Sequence, residues 1–251
     1  MTNEKNCILS QNCTKAGTDS CTKICPYFIS IKGRLDQANI PKDYQKFTIK
    51  NNPVRTTQVD AFEKIDLWAK LSFPRMFIEE GERIRPLYLY SQEPGTGKTS
   101  AACAIANSYL VYHFVEGLKR DYHPLESVVY FLDFNAWQRL FSEFNHPSIP
   151  KDIKEKQARY FYTQREIAKR VPLLILDDIG IQPPTEAFGA VAHDLINHRV
   201  SNRMPTVFTS NVRMEDLLLS YDKRLYDRVR DQNTEIIFEG MSNRGKRRDY
   251  N

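Results

Sequence analysis

From residue 57 onward, the chain alternates between short apolar runs and longer stretches with apolar residues three or four positions apart. The short runs, such as residues 87–90, predict buried strands, and the longer stretches predict amphipathic helices. The predicted strands are 87–90, 128–132, 173–176, 206–209 and 235–238, and the predicted helices are 62–71, 98–119, 135–144, 151–170 and 185–199. Apolar strands that alternate with helices are typical of a parallel sheet covered on both faces, so we predict an α/β fold.

The first 50 residues do not share this pattern. They are polar, contain most of the cysteines and are interrupted by Pro26 and Pro41. The sequence at residues 51–53, Asn-Asn-Pro, has the composition of a linker or turn. We therefore predict two domains, a small cysteine-rich module over residues 1–50 and a main α/β domain over residues 51–251.

Composition narrows the class of protein without deciding its function. The chain has 251 residues, of which 41% are hydrophobic and 27% are charged, as in an ordinary globular protein. Its formal charge of +5 permits contact with nucleic acid but does not establish it. No apolar run reaches the roughly 20 residues that a membrane span needs, and the polar N-terminus lacks a signal segment. We therefore expect no membrane association and a reducing, cytoplasmic compartment.

A glycine-rich loop between strand 87–90 and helix 98–119 predicts a phosphate-binding site. Glycines let backbone N–H groups approach phosphate oxygens, and the helix N-terminus adds positive potential. Lys98 can reach the β- and γ-phosphates of ATP, and the Thr99 hydroxyl can bind Mg²⁺. The usual motif begins with glycine where this chain has Gln92. The predicted nucleotide contacts are Pro94, Gly95, Thr96, Gly97, Lys98, Thr99 and Ser100.

Two carboxylates follow the third apolar strand, at Asp177 and Asp178. Ligands bind at the carboxyl ends of strands in open α/β sheets, so Asp177 is predicted to hold Mg²⁺ together with Thr99. Asp178 is placed to act as the general base that polarises the attacking water. Most ATPases of this type carry glutamate there, and the shorter aspartate predicts slow hydrolysis.

Two further features come later in the chain. Asn211 lies just after the fourth predicted strand, where its amide can orient the lytic water against the γ-phosphate. Arg224 and Arg228 are four residues apart and so lie on one face of a predicted helix. Composition alone favours a solvated basic face, but the position suits an arginine finger that acts on a neighbouring subunit. Such a finger predicts head-to-tail self-assembly into a ring or spiral.

Four segments together resemble the DnaC/DnaI family of bacterial replicative helicase loaders, which are AAA+ P-loop ATPases. They are residues 94–99, 174–180, 197–199 followed by 204–211, and 224–228, within a resemblance that covers about residues 57–251. The resemblance implies an ATP-dependent loader that delivers a replicative DNA helicase onto single-stranded DNA. It also implies that Asn211 is sensor 1, that Arg228 is the arginine finger with Arg224 as the alternative, and that Arg244 is sensor 2.

The first 25 residues contain four cysteines, Cys7, Cys13, Cys21 and Cys25. In a reducing compartment, metal binding outranks disulfides, and four thiolates complete a tetrahedral structural Zn²⁺ site. Their loose spacing leaves open unliganded thiols, an iron–sulfur cluster or disulfides. The resemblance to the DnaI branch implies a zinc-binding module that grips the helicase. Cys103, in a predicted helix, is expected to be a small core residue.

Two other functions fit the same motifs. An IstB-like transposition-accessory ATPase shares this core and binds double-stranded DNA, but the cysteine-rich module favours partner binding over a DNA-binding arm. A weakly hydrolysing adaptor would use ATP only as a conformational switch, because Asp178 is short. The basic residues 246–248 are either phosphate contacts or a solvated terminus. The aromatic residues between 131 and 144 are expected to pack in the core rather than to stack on bases.

Overall fold

Five parallel strands form one sheet in the part of the chain that the structure describes. The structure is a computed structural model, and it describes residues 3–78, 84–122, 127–180, 183–216, 230 and 233–242. The strands are β1 (Leu87–Tyr90), β2 (Val129–Asp133), β3 (Leu173–Asp177), β4 (Thr206–Ser210) and β5 (Thr234–Ile237), in the spatial order β2-β3-β4-β1-β5. Every neighbouring pair is parallel, so the predicted parallel sheet is confirmed.

Helices cover both faces of this sheet. They are α1 (Pro26–Gln37), α2 (Val59–Ile78), α3 (Lys98–Lys119), α4 (Phe134–Asn145), α5 (Lys151–Arg170) and α6 (Glu186–Ser201), with 3₁₀ turns at Glu4–Asn6, Ser10–Asn12 and Lys42–Tyr44. Successive strand residues point to opposite faces, so Leu87 and Leu89 join the core under α1, α2 and α3, whereas Tyr88 and Tyr90 join the core under α4, α5 and α6. Of the helices described, none is both long and apolar enough to cross a membrane.

The bounds of β1, α3 and α5 are those predicted, and each end of β2 to β5 lies within one residue of the predicted position. Helix α2 differs more, because it extends well beyond the predicted residues 62–71. Its buried face contains Phe62, Ile65 and Trp68, as expected. Leu67 and Leu71 are 60% and 52% exposed, however, so they do not belong to the buried face that the spacing predicted.

The cysteine-rich segment packs on the α/β domain and contains α1, a helix that was not predicted. Its Leu9, Ile31 and Leu35 belong to the same core as α2 and α3. The Phe131 N–H donates to the Ala38 carbonyl at 2.8 Å, and the Asn39 amide donates to the Phe131 carbonyl at 2.9 Å. The segment therefore covers part of edge strand β2. The domain boundary near residue 50 stays a prediction.

The aromatic side chains around α4 form a packed cluster, as the spacing predicted. The Trp137 and Phe161 rings stack with their centroids 4.6 Å apart, and Phe134 and Phe188 complete the cluster through tilted and edge contacts. All four are at most 1% exposed, so they are core residues. Phe131 lies in the core on the other face of the sheet.

Arg199, in the resemblance segment 197–199, is a fully buried structural residue. Its guanidinium donates to the carbonyls of Ala168, Val171 and Pro205 at 2.7, 2.9 and 2.6 Å, and to the Thr206 hydroxyl at 2.9 Å. Burial lowers the pKa of Arg199 to about 9. These bonds satisfy the buried donors and tie α6 to the segments that precede β3 and β4.

Candidate nucleotide-binding site

The loop between β1 and α3 has the backbone that a phosphate cradle requires. Gly95 and Gly97 have φ of 78° and 110°, in the left-handed region that favours glycine. A Cβ on Gly97 would lie 2.6 Å from Val54 Cγ2, so a side chain there would also collide with the segment before α2. Both the conformation and the space therefore require glycine at position 97, directly before α3, and the N–H groups of a helix's first turn are the ones that have no partner within the helix and can bind a phosphate.

Lys98 begins α3 and is only 5% exposed. Its Nζ lies 3.4 Å from the Glu93 carbonyl, which brings the ammonium group back over the loop. The Thr96 hydroxyl is buried and has no hydrogen-bond partner among the described residues. The Ser100 hydroxyl, in contrast, accepts a bond from the Asn52 amide at 3.1 Å. The loop thus fits a phosphate group through its backbone and Lys98, while the Ser100 side chain faces Asn52.

Thr99 and Asp177 meet at the carboxyl ends of the strands, as the sequence predicts for a Mg²⁺ pair. Asp177 Oδ2 accepts a bond from Thr99 Oγ1 at 3.2 Å, and Oδ1 accepts one from Thr209 Oγ1 at 2.6 Å. Burial and then the charge of Asp178 raise the pKa of Asp177 to about 7, against the effect of the two hydroxyl donors. A divalent cation held by this hydroxyl and carboxylate would favour the ionised carboxylate.

Asp178 follows in a tight turn after β3. Its φ of 61° is left-handed, a conformation that aspartate tolerates better than most residues. Its N–H donates to Thr209 Oγ1 at 2.9 Å, and the Ile179 N–H donates to the Thr209 carbonyl at 3.0 Å. The turn is therefore fastened to β4, with the Asp178 side chain partly exposed beside Asp177.

Asn211 follows β4 and contacts the phosphate-binding loop. Its amide donates to the Gln92 carbonyl at 3.3 Å. Gln92 is the residue that replaces the usual first glycine, so this departure from the motif lies directly against Asn211. The structure thus brings Asn211, Asp177 and Lys98 to one edge of the sheet.

Three residues of the site were not singled out from the sequence. Thr209 bonds both acidic residues, and its place two positions before Asn211 on a strand was a usable signal. Asn52 was assigned to a linker, yet its amide donates to the Ser100 carbonyl at 3.0 Å. Gln58 reaches the carbonyls of the loop and of the segment after β5. Nothing in the local sequence marks Asn52 or Gln58.

The arginine predictions lie outside the described residues. This holds for Arg224 and Arg228, for Arg244, and for the basic residues 246–248. Their roles as arginine finger, sensor 2 and phosphate contacts stay predictions.

The four N-terminal thiols line one small cavity of about 20 Å³ and are free, as is Cys103. Burial raises the pKa of the Cys7 thiol, and the three neighbouring thiols raise it further. Within the described part of the chain, no three His, Cys, Asp or Glu side chains converge closely enough to hold a metal ion. The predicted Zn²⁺ site is therefore not confirmed. Cys103 is fully buried in the core, as expected.

A parallel sheet in the order β2-β3-β4-β1-β5, with a glycine loop after β1 and acidic residues after β3, defines a P-loop protein of the AAA+ class. No family model matches the chain. The chain is 24% identical over 177 residues to the replicative helicase loader DnaC of Escherichia coli, a match that covers 70% of this chain and 63% of that protein. It is 29% identical over 150 residues to the replicative helicase loader DnaI of Bacillus subtilis, covering 58% of this chain and 39% of that protein.

The fold agrees with these relatives. A crystal structure of DnaI superposes with a TM-score of 0.56 at 22% identity, covering 84% of this chain and all of that chain. The resemblance to the DnaC/DnaI family is thereby confirmed in both sequence and fold.

Proposed function

We propose that the chain is an ATP-dependent helicase loader that delivers a replicative DNA helicase onto single-stranded DNA. The observation that carries the proposal is the meeting of Thr99 with Asp177 beside the Lys98 loop, at one edge of a DnaC/DnaI-type sheet. The loader names of the relatives support the helicase as partner. Single-stranded DNA as the second partner follows from the proposed activity.

The residues of the site divide the chemistry of ATP hydrolysis among them. The loop N–H groups and Lys98 bind and orient the phosphates, and Thr99 and Asp177 hold Mg²⁺. Bound Mg²⁺ supplies positive charge that stabilises the phosphate oxygens. Asp178 takes a proton from the attacking water, and Asn211 orients that water.

Two features make the isolated chain a slow ATPase in this proposal. Asp178 reaches less far than the glutamate common at its position. The arginine finger, Arg228 with Arg224 as the alternative, comes from a second chain in a head-to-tail ring or spiral. Turnover would rise when assembly or a helicase partner completes the site, and Arg244 would add a sensor 2 contact to the phosphates.

We also propose that the cysteine-rich segment holds one structural Zn²⁺ and contacts the helicase. The support is that all four thiols line a single cavity of about 20 Å³, and that thiolates are the preferred ligands of structural zinc. The short turns of this segment bury few apolar side chains, so metal binding would supply part of its folding free energy.

Retention of a bacterial replicative helicase on the immobilised chain tests the loader function. We expect the wild-type chain to retain the helicase with a clear dependence on Mg-ATP, and Lys98→Ala to lose that dependence. Absence of retention with and without ATP would contradict the loader function. Binding of double-stranded DNA instead of helicase would favour the IstB-like alternative.

Steady-state turnover separates an active ATPase from a switched adaptor. Asp178→Asn is expected to keep Mg-ATP binding while stopping turnover, because it removes the proton acceptor and keeps the size of the side chain. Binding without turnover in the wild-type chain, with helicase and single-stranded DNA present, would favour the adaptor.

A further inference from the structure

Gln58 is a buried amide that joins two distant segments of the chain. It directly precedes α2 and is 7% exposed. Its Nε2 donates to the Glu239 carbonyl at 2.6 Å, and its Oε1 accepts from the Glu239 N–H at 3.2 Å. The same Nε2 lies 3.4 Å from the Thr96 carbonyl in the phosphate-binding loop. One side chain thus contacts both the loop and the segment after β5.

The two bonds to Glu239 fix the position and the direction of its backbone. An amide side chain that exchanges a donor and an acceptor with one residue imitates a rung of a β-ladder, and Nε2 has a second hydrogen for Thr96. The bond to Thr96 is the longest of the three. A small movement of the loop would therefore change the bond to Thr96 first. The Gln58 amide would then move, and its two bonds to Glu239 would change with it.

The segment around Gln58 is otherwise held firmly against the loop. Asn52 bonds the carbonyl of Ser100 in the first turn of α3, and Val54 packs against Gly97. The Phe62 N–H donates to the Gln58 carbonyl at 3.0 Å, which anchors Gln58 to the first turn of α2. The Gln58 backbone is thus a fixed support from which its side chain reaches both partners.

In its described part, the segment after β5 is joined to the sheet just before the Glu239 contact with Gln58. The Phe238 N–H donates to the Tyr90 carbonyl at 2.7 Å, which continues the pairing of β5 with β1. Gly240 then turns with φ of 90°, and Met241 is 89% exposed. Glu239 is therefore the point at which this segment leaves the sheet, and Gln58 holds it there.

We propose that Gln58 is a positioning residue that couples nucleotide occupancy of the phosphate-binding loop to residues 238–242. Phosphate binding fixes the loop backbone at Thr96 and changes its hydrogen bond to Gln58. The Gln58 side chain shifts with that bond, and its two bonds to Glu239 then restrict the motion of the Glu239 backbone. The coupling rests on the proposed nucleotide site and adds a path from that site to the edge of the sheet at β5.

Hydrogen–deuterium exchange with and without Mg²⁺ and a non-hydrolysable ATP analogue tests the coupling. In the wild-type chain we expect slower exchange on nucleotide binding in peptides that cover residues 91–100 and 236–242. In Gln58→Leu we expect the first response to remain, with nucleotide affinity reduced about fivefold by the lost hydrogen bond to the loop, and the second response to disappear. Gln58→Glu keeps the acceptor but lacks the donor, so it should behave in the same way.

The matched control is Gln138→Leu. Gln138 is also 7% exposed, and its amide donates to the Pro183 carbonyl at 3.1 Å, far from the loop in sequence. It should keep both responses, which separates loss of coupling from loss of any buried amide.

Two results would overturn the coupling. If nucleotide slows exchange in the wild-type chain only at residues 91–100, the coupling is overturned before any variant is measured. If the Gln58→Leu chain keeps the wild-type response at residues 236–242, the coupling through Gln58 is also overturned. A wild-type chain with no response at residues 91–100 would overturn the proposed nucleotide site, and the coupling with it.

Discussion

A single hydroxyl, that of Thr209, connects the two acidic residues of the candidate site. It donates to Asp177 Oδ1 and accepts from the Asp178 N–H. Its loss leaves a buried carboxylate oxygen without a donor and removes one of the bonds that hold the Asp178 turn against β4. Thr209 would therefore affect turnover by holding the groups that contact the substrate in place, without contacting the substrate itself.

We expect Thr209→Val to lower kcat by roughly 10–100-fold, since a hydrogen bond to a charged group is worth about 1.5–3 kcal/mol. The concentration of Mg²⁺ at half-maximal turnover should rise, because Asp177 loses its fixed orientation. Valine has nearly the shape of threonine, so the core at 209 should be preserved. Steady-state turnover over a Mg²⁺ titration measures both quantities.

Thr209→Ser is the matched control, because it keeps the hydroxyl and removes only a methyl group. It should retain most of the wild-type turnover and Mg²⁺ dependence. Equal losses in the serine and valine variants would show that packing at position 209 matters and that the hydroxyl does not.

The residues that the sequence predicted for the site are those with a local signature. Lys98, Thr99 and Asp177 follow apolar strands in recognisable motifs, and the structure brings them together. Asn52 and Gln58 have no such signature, because the residues they bond are 48 and 181 positions away in the chain. Only the folded arrangement of the segment before α2 shows that they belong to the loop.

At the scale of elements, β1 and β3 were predictable because each is buried on both faces and reads as an almost continuous apolar run, whereas in β5 only Ile236 is buried. The start of α3 was predictable because the glycine loop fixes it. Helix α1 could not be predicted from the sequence, because only two of its residues, Ile31 and Leu35, are buried. Its position depends on contacts with the main domain. The exposure of Leu67 and Leu71 on α2 likewise depends on which neighbours pack against that helix.

The packing of α3 against α1 and α2 makes stability depend on pH through His113. This side chain is buried against Phe77 and Tyr109. Burial, and then the charge of Arg34, lowers the pKa of His113 from 6.5 to about 4. The unfolded chain therefore binds more protons than the folded chain between these values, and the free energy of unfolding falls as pH drops through this range.

We expect this group to remove about 2 kcal/mol of the free energy of unfolding between pH 7 and pH 5. His113→Phe should lose that part of the pH dependence while keeping a ring against Phe77. Urea unfolding of both chains at the two pH values measures the difference. An identical pH dependence in the two chains would mean that His113 is protonated as readily in the folded chain as in the unfolded one.

The cysteine-rich segment provides the second prediction at this scale. Protein purified without chelator should contain about one zinc per chain, because four thiolates fill a tetrahedral shell. Cys21→Ser should lose the metal, whereas Cys103→Ala should keep it, since Cys103 lies in the core of the main domain. Elemental analysis of the three proteins checks this. Wild-type protein without metal would leave the four thiols as unliganded residues of the cavity.

At the scale of the whole molecule, the candidate site opens at the carboxyl edge of the sheet. Gln92, Glu93 and Pro94, at the start of the loop, are exposed there. An edge of this kind can be completed by a residue from a second chain. In the proposed assembly that residue is Arg228, which the sequence places between β4 and β5. A heterologous contact of this type repeats from chain to chain and gives rings or spirals rather than two-fold dimers.

A mixing experiment tests whether Arg228 acts between chains. Arg228→Ala and Lys98→Ala should each be nearly inactive, because a trans arginine can be worth ~10³–10⁵ in rate and Lys98 binds the phosphates. In an equal mixture that co-assembles at random, roughly one quarter of head-to-tail interfaces pair an intact loop with an intact arginine. Turnover should therefore return to about a quarter of the wild-type value, which a coupled ATPase assay measures.

The outcome of mixing separates three arrangements of the site. Recovery with Arg228→Ala places the finger in trans at that residue. Recovery only when Arg224→Ala is used in its place moves the finger by one helical turn and keeps the trans mechanism, because the two arginines lie four residues apart. No recovery among chains shown to co-assemble means that neither arginine crosses the interface. In that case the slow turnover expected of the isolated chain would come from Asp178 alone, whose short side chain and left-handed backbone are present in every copy.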